Sequence, residues 1–115
     1  MTRLRFYVGG RTKQGGVTSY QDVETILAGA FGGFTATDGR GAWQPRYTPE
    51  TCPGKPCSTE CNHIGAIEYE PTRVYEVLTD KPAGSSGEWW ARVLATLADQ
   101  SSVLWTREEV EGGFS

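Results

Sequence analysis

All three cysteines and the only histidine of the chain lie in one short segment, TCPGKPCSTECNH. Cys52, Cys57, Cys61 and His63 form the spacing C-x4-C-x3-C-x-H. Three thiolates and an imidazole can hold zinc tetrahedrally, although the C-x2-C pair that commonly opens such sites is missing. We therefore expect a structural zinc staple, with a metal-free surface loop and a disulfide as alternatives. A catalytic zinc is not expected, because it needs an open coordination position beside a general base.

A second group of residues combines arginines with flat aromatic side chains. Guanidinium groups bind phosphates and aromatic rings stack on bases, so this combination is typical of nucleotide sites. The same residue types are enriched in protein interfaces, which is the alternative interpretation. The group consists of Arg3, Arg5, Tyr7, Arg40, Trp43, Arg46, Trp105 and Arg107.

Composition and motifs exclude several classes of function. One histidine, no G-x-S-x-G motif and no Gly-Lys-Ser/Thr after a glycine pair leave no set of catalytic groups, so we expect a protein that is not an enzyme. A net charge of −3 argues against a nucleic-acid partner. No apolar run approaches the roughly 20 residues that span a bilayer, and no signal peptide is visible. We therefore expect a cytosolic protein without a membrane partner.

The elements that must position these side chains follow from the hydrophobic periodicity. Apolar residues alternate over 4–8, which predicts a strand, and recur at helical spacing over 20–31. Thr18 and Gln21 match a capping box at the start of that helix, and Gly32-Gly33 would end it. Further strand segments are predicted over 34–38, 42–47, 67–70, 74–79 and 102–107, and a second helix over about 88–99.

Two local signals would break this strand material. Asp38-Gly39 is a hairpin turn signal, which would join the strands at 34–38 and 42–47. Pro71 would force a break or a bulge between the segments at 67–70 and 74–79. The resulting order, β-α-β-β-β-α-β, predicts an α+β sandwich of antiparallel sheet and two helices, with a ferredoxin-like layout. The 115 residues fit a single domain, with the cysteine-rich loop as an insertion at about 48–64.

This layout resembles the RNA recognition motif, because FYVGG at 6–10 is similar to the first-strand signature of that family. The second signature, basic-Gly-aromatic-Gly-aromatic-Val, has no counterpart in the chain. The alternative function is therefore a zinc-stapled module that binds protein or RNA.

A second resemblance spans both ends of the chain. The stretches FYVGG at 6–10, FGGFTATDGRGAW at 31–43 and SVLWTREEVE at 102–111 resemble the Thoeris anti-defence one family of phage and prophage proteins. The resemblance implies a sponge that binds cyclic ADP-ribose isomers, and in some members cyclic di- or trinucleotides, without cleaving them. It also implies a homo-oligomer, dimer or hexamer, in the host bacterial cytosol, with pockets between protomers. The Cys/His loop is not part of the family pattern.

Taken with the arginine–aromatic pattern, this resemblance nominates seven ligand-binding residues. Arg40, Arg92 and Arg107 would hold phosphates or ribose hydroxyls. Tyr7, Trp43 or Trp89 would stack on the base, and Thr106 would donate a hydrogen bond. An enzyme that cleaves the nucleotide is the third possibility.

Overall fold

The computed structural model describes residues 1–44, 46–47, 50, 52, 63–80 and 87–112. Four strands form one sheet in the order β2-β3-β1-β4, and all neighbouring strands are antiparallel. The elements are β1 (Thr2–Gly9), α1 (Tyr20–Phe31), β2 (Thr35–Trp43), β3 (Glu68–Thr79), α2 (Gly87–Leu97) and β4 (Leu104–Glu109). The α+β class, with an antiparallel sheet and two helices, is confirmed. No described helix is long and apolar enough to cross a bilayer.

The core lies between the two helices and one face of the sheet. Successive residues of a strand point to opposite faces, so Leu4, Phe6 and Val8 of β1 share one face and are buried there. They pack with residues of β3, α1, α2 and the segment before β4, which include Tyr75, Val77, Val23, Leu27, Ala91, Leu94 and Val103. We call this the helix-side face. The other face, which we call the open face, carries Arg3, Arg5 and Tyr7 on β1.

Where two short strands and a turn were predicted, the structure has one strand, β2. Thr35 to Trp43 pair residue by residue with Glu76 to Glu68, so the predicted hairpin at Asp38-Gly39 is wrong. Gly39 does not have the positive φ that a hairpin turn of this kind requires. Asp38 instead accepts a hydrogen bond from Arg73 Nε at 2.6 Å on the neighbouring strand, and this ion pair stabilises the extended chain.

Pro71 lies inside β3 without interrupting it. Its carbonyl oxygen accepts a hydrogen bond from Gly10 N at 2.7 Å, so its backbone polar edge faces β1 and not β2. The last residue of β1 to pair with β3 is Gly9, which is opposite Thr72. The missing N–H of Pro71 therefore removes no hydrogen bond from the ladder between β2 and β3, and the predicted break does not occur.

The first helix has the predicted bounds but a different N-terminal contact. The N-cap residue is Ser19, and its side chain makes no capping hydrogen bond. Thr18 is buried, and its hydroxyl donates to Gly9 O at 2.6 Å, so the predicted capping box is wrong. At the other end Gly32 has φ 80° and its N–H bonds Ala28 O, as expected for a C-terminal glycine.

Tyr75 connects the core to a partly buried ionic network. Its hydroxyl donates to Glu24 Oε2 at 2.7 Å, and Arg73 Nη1 donates to the same oxygen at 2.8 Å. Burial and the hydrogen bond to Glu24 raise the pKa of Tyr75. An unfolded tyrosine ionises near pH 10, so the folded state loses stability as the pH rises above about 10.

We expect Tyr75→Phe to lower the free energy of unfolding at neutral pH by about 1.5 kcal/mol, because a hydrogen bond to a charged group is lost. The variant should also lose less stability than the wild type between about pH 9 and 11, because the titrating phenol is gone. Urea unfolding at several pH values measures both effects. Tyr69→Phe is the matched control, since Tyr69 is 51% exposed. The same alkaline loss in Tyr75→Phe as in the wild type would contradict this account.

Candidate ligand-binding cleft

A cleft of about 570 Å³ opens at the end of the sheet where β1 ends. Three separate parts of the chain form its walls: the loop after β1, the facing ends of β2 and β3, and the segment before β4. The lining residues are Arg11, Thr12, Lys13, Gly15, Trp43, Glu68, Glu70, Gln100, Ser101 and Ser102.

One wall exists because β2 and β3 continue past the end of β1. Trp43 lies opposite Glu68 in the register, and Gly41 lies opposite Glu70. These four positions share the open face, since alternate residues of a strand point the same way. A Cβ on Gly41 would lie 2.6 Å from Thr72 Oγ1, so a larger residue there would require the threonine side chain to shift. The missing side chain leaves the tryptophan without a bulky neighbour on its own strand.

The opposite wall is a tight loop fixed through its backbone. Thr12 N donates to Gly16 O and Gly15 N donates to Thr12 O, both at 2.9 Å. Gly15 has φ 84°, a conformation that favours glycine. Lys13 N donates to Asp99 O at 2.7 Å, which ties the loop to the end of the second helix. The two cationic side chains of this wall, Arg11 and Lys13, therefore extend from a backbone that is held by hydrogen bonds.

Gln100 joins the loop to the rest of the cleft. Its side-chain amide donates to Gly9 O at 3.1 Å, Arg11 O at 2.5 Å and Thr18 Oγ1 at 3.1 Å. One side chain thus spans the end of β1 and both sides of the loop that follows. Two of these acceptors are backbone carbonyl oxygens and the third is the hydroxyl of the buried Thr18, so Gln100 fixes the loop after β1. Gln100 also lines the cleft.

We expect Gln100→Ala to lower the free energy of unfolding by about 0.5–1.5 kcal/mol, because Arg11 O and Thr18 Oγ1 lose a donor while Gly9 O keeps the hydroxyl of Thr18. Chemical denaturation followed by tryptophan fluorescence measures the change. Gln14→Ala is the matched control, since Gln14 is exposed in the same loop. Equal stability of the two variants would show that Gln100 does not hold the loop.

The cleft combines opposite charges with a flat ring. Arg11 and Lys13 can bind an anion, and the Lys13 ammonium lies 3.7 Å from Asp99 Oδ1. Among the described residues, no ion pair engages Arg11. Glu68 and Glu70 can accept hydrogen bonds from hydroxyl groups, and Trp43, which is 52% exposed, can stack on a base. This set suits a ligand with phosphate, sugar hydroxyl and aromatic parts.

Of the seven residues nominated from the sequence, Trp43 lines this cleft. Tyr7 and Thr106 lie on the open face, where Thr106 is opposite Arg5. Arg107 lies on the other side of the same strand, opposite Leu4, and donates to Glu109 at 3.0 Å. The single chain therefore does not gather these residues around Trp43.

The remaining nominated residues lie farther apart. Trp89 is 57% exposed on the second helix, and Arg92, one turn later, donates to Glu88 at 2.7 Å. Arg40 lies on the helix-side face of β2, with its guanidinium 4.7 Å from the ring centre of Tyr69. Their roles in binding a ligand stay predictions.

Sequence reasoning missed most of the cleft. Arg11 and Lys13 lie just after the glycine pair Gly9-Gly10 at the end of β1. Residues that follow a strand lie at the edge of a sheet, so their position in the sequence could have indicated a role in a site. The sequence around Glu68 and Glu70 indicates no more than the solvated face of a strand. Gln100 carried no sequence signal, because its contacts depend on how the second helix ends.

The predicted metal site falls mainly outside the described residues, since Cys57 and Cys61 belong to the part that the structure does not describe. Cys52 is buried, and His63 is half-buried with φ 56°. Within the described ranges, no three potential ligand residues gather closely enough to hold a metal. The zinc staple stays a prediction, and metal analysis of purified protein tests it.

The open face differs from an aromatic RNA-binding platform. On β1 and β3, Tyr7 is the one aromatic side chain that the described register places on this face. Its neighbours include the ion pairs of Arg5 with Glu76 at 2.9 Å and of Arg3 with Glu108 at 3.2 Å. Arginines neutralised by neighbouring carboxylates attract a polyanion weakly.

Comparison of the chain with protein family models, with curated proteins and with solved structures finds no match.

Proposed function

We propose that this protein binds and sequesters a cyclic nucleotide immune signal without cleaving it, and that the cleft beside Trp43 is the binding site. The ligand class is the cyclic ADP-ribose isomers, with cyclic di- and trinucleotides as further candidates. The protein would act as a phage anti-defence protein in the cytosol of a bacterial host.

The observation that carries the proposal is that Trp43 lines the same cleft as Arg11 and Lys13. A volume of about 570 Å³ is in the range of small-molecule sites, which is about 300–1,000 Å³. Phosphates would bind the two cations, and the base would stack on the indole ring. Glu68 and Glu70 would accept hydrogen bonds from ribose hydroxyls and would disfavour a ligand that consists of phosphate alone.

The chemistry of the lining residues fits binding of the ligand without cleavage. A serine attacks a phosphate or an anomeric carbon only when a base removes its proton. Within the described residues, no hydrogen bond joins Ser101 or Ser102 to a side chain that could act as this base. The proposal therefore assigns these hydroxyls to binding.

Assembly into a homo-oligomer, dimer or hexamer, is part of the proposal. The cleft is open to solvent in one chain, and a sponge that binds tightly benefits from a pocket that a second subunit closes. The nominated residues outside the cleft, among them Arg40, Arg92 and Arg107, are exposed and can contact a ligand held by a neighbouring copy.

Calorimetry against a ligand panel tests the proposal. The panel holds cyclic ADP-ribose isomers, cyclic dinucleotides, cyclic trinucleotides and a short RNA. We expect tight binding of one cyclic nucleotide, and mass spectrometry after heat denaturation should recover that ligand intact. Recovery of a cleaved product would replace the sponge with an enzyme, and binding of the RNA alone would favour the RNA-binding module. No binding across the panel would refute the proposal.

A further inference from the structure

The outer edge of β2 is a long strand edge without the usual protection. β2 is the last strand of the sheet on its side, and within the described residues no strand pairs with its outer edge. Eight of its nine residues are exposed, the exception being Gly41. Native edges are commonly blocked by proline, lysine or a bulge, because unpaired backbone groups recruit another strand. The sequence TATDGRGAW contains no proline or lysine, and its register with β3 has no bulge.

The backbone groups that point outward from β2 can be assigned from Pro71. The backbone polar groups of Pro71 face β1, so Arg40, its partner in the register, forms no hydrogen-bonded pair with β3. The N–H and C=O of Arg40 therefore point to the outer edge. By alternation, the same holds for Ala36, Asp38 and Ala42. A strand added at this edge would bond to these four residues.

A second copy of β2 matches this edge in one antiparallel register. Hydrogen-bonded pairing requires that outward-pointing residues lie opposite outward-pointing residues. With Gly39 opposite Gly39 of the second copy, Asp38 lies opposite Arg40 and Ala36 lies opposite Ala42. The neighbouring allowed registers place Asp38 opposite Asp38 or Arg40 opposite Arg40, and like charges directly opposite are destabilising. Charge thus selects the register centred on Gly39.

The single chain gives no steric reason for glycine at position 39. A Cβ added there would meet no atom closer than 4.0 Å, and φ at this residue is not positive. In the register centred on Gly39, the two copies of this residue form the non-hydrogen-bonded pair at the symmetry axis, where Cα atoms approach to about 4.5 Å. Glycine at such a position marks a close approach of another backbone.

Both charged partners are available for this pairing. The Asp38 side chain is 73% exposed although Arg73 binds it from the neighbouring strand, so it can accept a second guanidinium. Arg40 contacts the ring of Tyr69 from the same face and is also exposed. Cross-strand partners have Cβ atoms about 5 Å apart, within reach of an ion pair.

We propose that two copies of this chain pair through antiparallel β2 strands centred on Gly39, which joins their sheets into one continuous sheet. The interface has about eight backbone hydrogen bonds and two Asp38–Arg40 ion pairs. On the open face, Trp43 of each copy lies opposite Thr35 of the other, and aromatic rings pack well on threonine in such pairs. The pairing needs no ligand. A chain that dimerises in this way but binds no cyclic nucleotide would refute the proposed function and leave this interface in place.

Sedimentation velocity over a range of concentrations tests the interface. We expect the wild type to form a species of twice the 12.6 kDa chain mass. Arg40→Asp places an aspartate opposite Asp38 in both pairs of the interface, and we expect it to weaken dimerisation at least tenfold. Ala42→Pro removes an outward-pointing N–H and no hydrogen bond to β3, and it should act in the same direction. Asp22→Arg is the control, since it makes a charge reversal of the same size at an exposed residue in the first turn of α1.

Mixing two variants provides a test that does not depend on loss of folding. Asp38→Arg alone also faces like charges, but a mixture with Arg40→Asp restores two opposite pairs across the interface. We expect each variant to be monomeric alone and the mixture to form a heterodimer, with circular dichroism confirming that both are folded. A monomeric wild type, a dimer that Arg40→Asp leaves intact, or folded variants that stay monomeric when mixed would each overturn the inference.

Discussion

Truncation of Trp43 to alanine should weaken binding of the cyclic nucleotide found in the calorimetric panel by about 5- to 150-fold. The proposed role of the ring is to stack on the base, and such stacking contributes about 1–3 kcal/mol per base. Trp43 is 52% exposed on a two-stranded extension that projects past β1, so its removal leaves the core intact. Trp43→Phe should retain most of the affinity, because a smaller aromatic face remains. Calorimetry of the three proteins with the same ligand measures these differences.

Trp89→Ala is the matched control for this experiment. Trp89 is 57% exposed, and its ring packs edge-on against Trp90 at 4.9 Å between ring centres. It is also a residue that the sequence nominated for stacking, so the pair of variants separates two locations for the ligand. If Trp89→Ala weakens binding while Trp43→Ala leaves it unchanged, the ligand does not occupy the cleft. Unchanged affinity in both variants would exclude stacking on either ring.

The sequence alone predicts the parts of the fold that depend on burial. β1 alternates because Leu4, Phe6 and Val8 face the helices, and this pattern is visible without any tertiary information. The bounds of the first helix also follow from local rules, because Gly32 adopts the left-handed conformation that ends it. These features are set by residues near each other in the chain.

The features that sequence reasoning missed depend on contacts between distant residues. Asp38-Gly39 is a turn signal in isolation, but Arg73 binds Asp38 from β3, and pairing over the whole of β2 keeps the chain extended. Pro71 breaks a strand in isolation, but its polar edge faces the end of β1, where no ladder is lost. In both cases tertiary pairing overrode a local preference.

The cleft could not be predicted for the same reason. Its walls come from parts of the chain far apart in sequence, and Gln100 joins two of them across 91 residues through its bond to Gly9 O. Trp43 was nominated because its residue type suits nucleotides. The two glutamates join it in the cleft through the register between β2 and β3, and Arg11 and Lys13 through the bonds that hold the loop after β1. Residue types thus favoured a class of ligand, whereas the position of the proposed cleft depends on contacts between distant parts of the chain.

Phe6→Ala should have the largest effect on stability, about 3–5 kcal/mol. The side chain is 0% exposed and lies opposite Tyr75 on one side and Trp105 on the other. Tyr75, Phe6 and Trp105 thus form an aromatic row across the sheet. The start of α2 packs directly against this row, because a Cβ on Gly87 would collide with the ring of Trp105. A cavity at Phe6 therefore has rigid walls, and the surrounding residues cannot collapse to fill it.

Urea unfolding of Phe6→Ala and of Leu104→Ala tests this assignment. Leu104 lies on the neighbouring strand but faces outward and is 65% exposed, so its truncation should cost less than about 0.5 kcal/mol. A loss below about 1.5 kcal/mol for Phe6→Ala would mean that the row relaxes and that the helices do not seal it. A large loss with an unchanged denaturant slope would place the centre of the core at Phe6, since the slope follows the surface exposed on unfolding. The same strand ends at Gly9, whose carbonyl oxygen accepts a hydrogen bond from Gln100, so the strand that carries Phe6 leads directly into the cleft wall with Arg11 and Lys13.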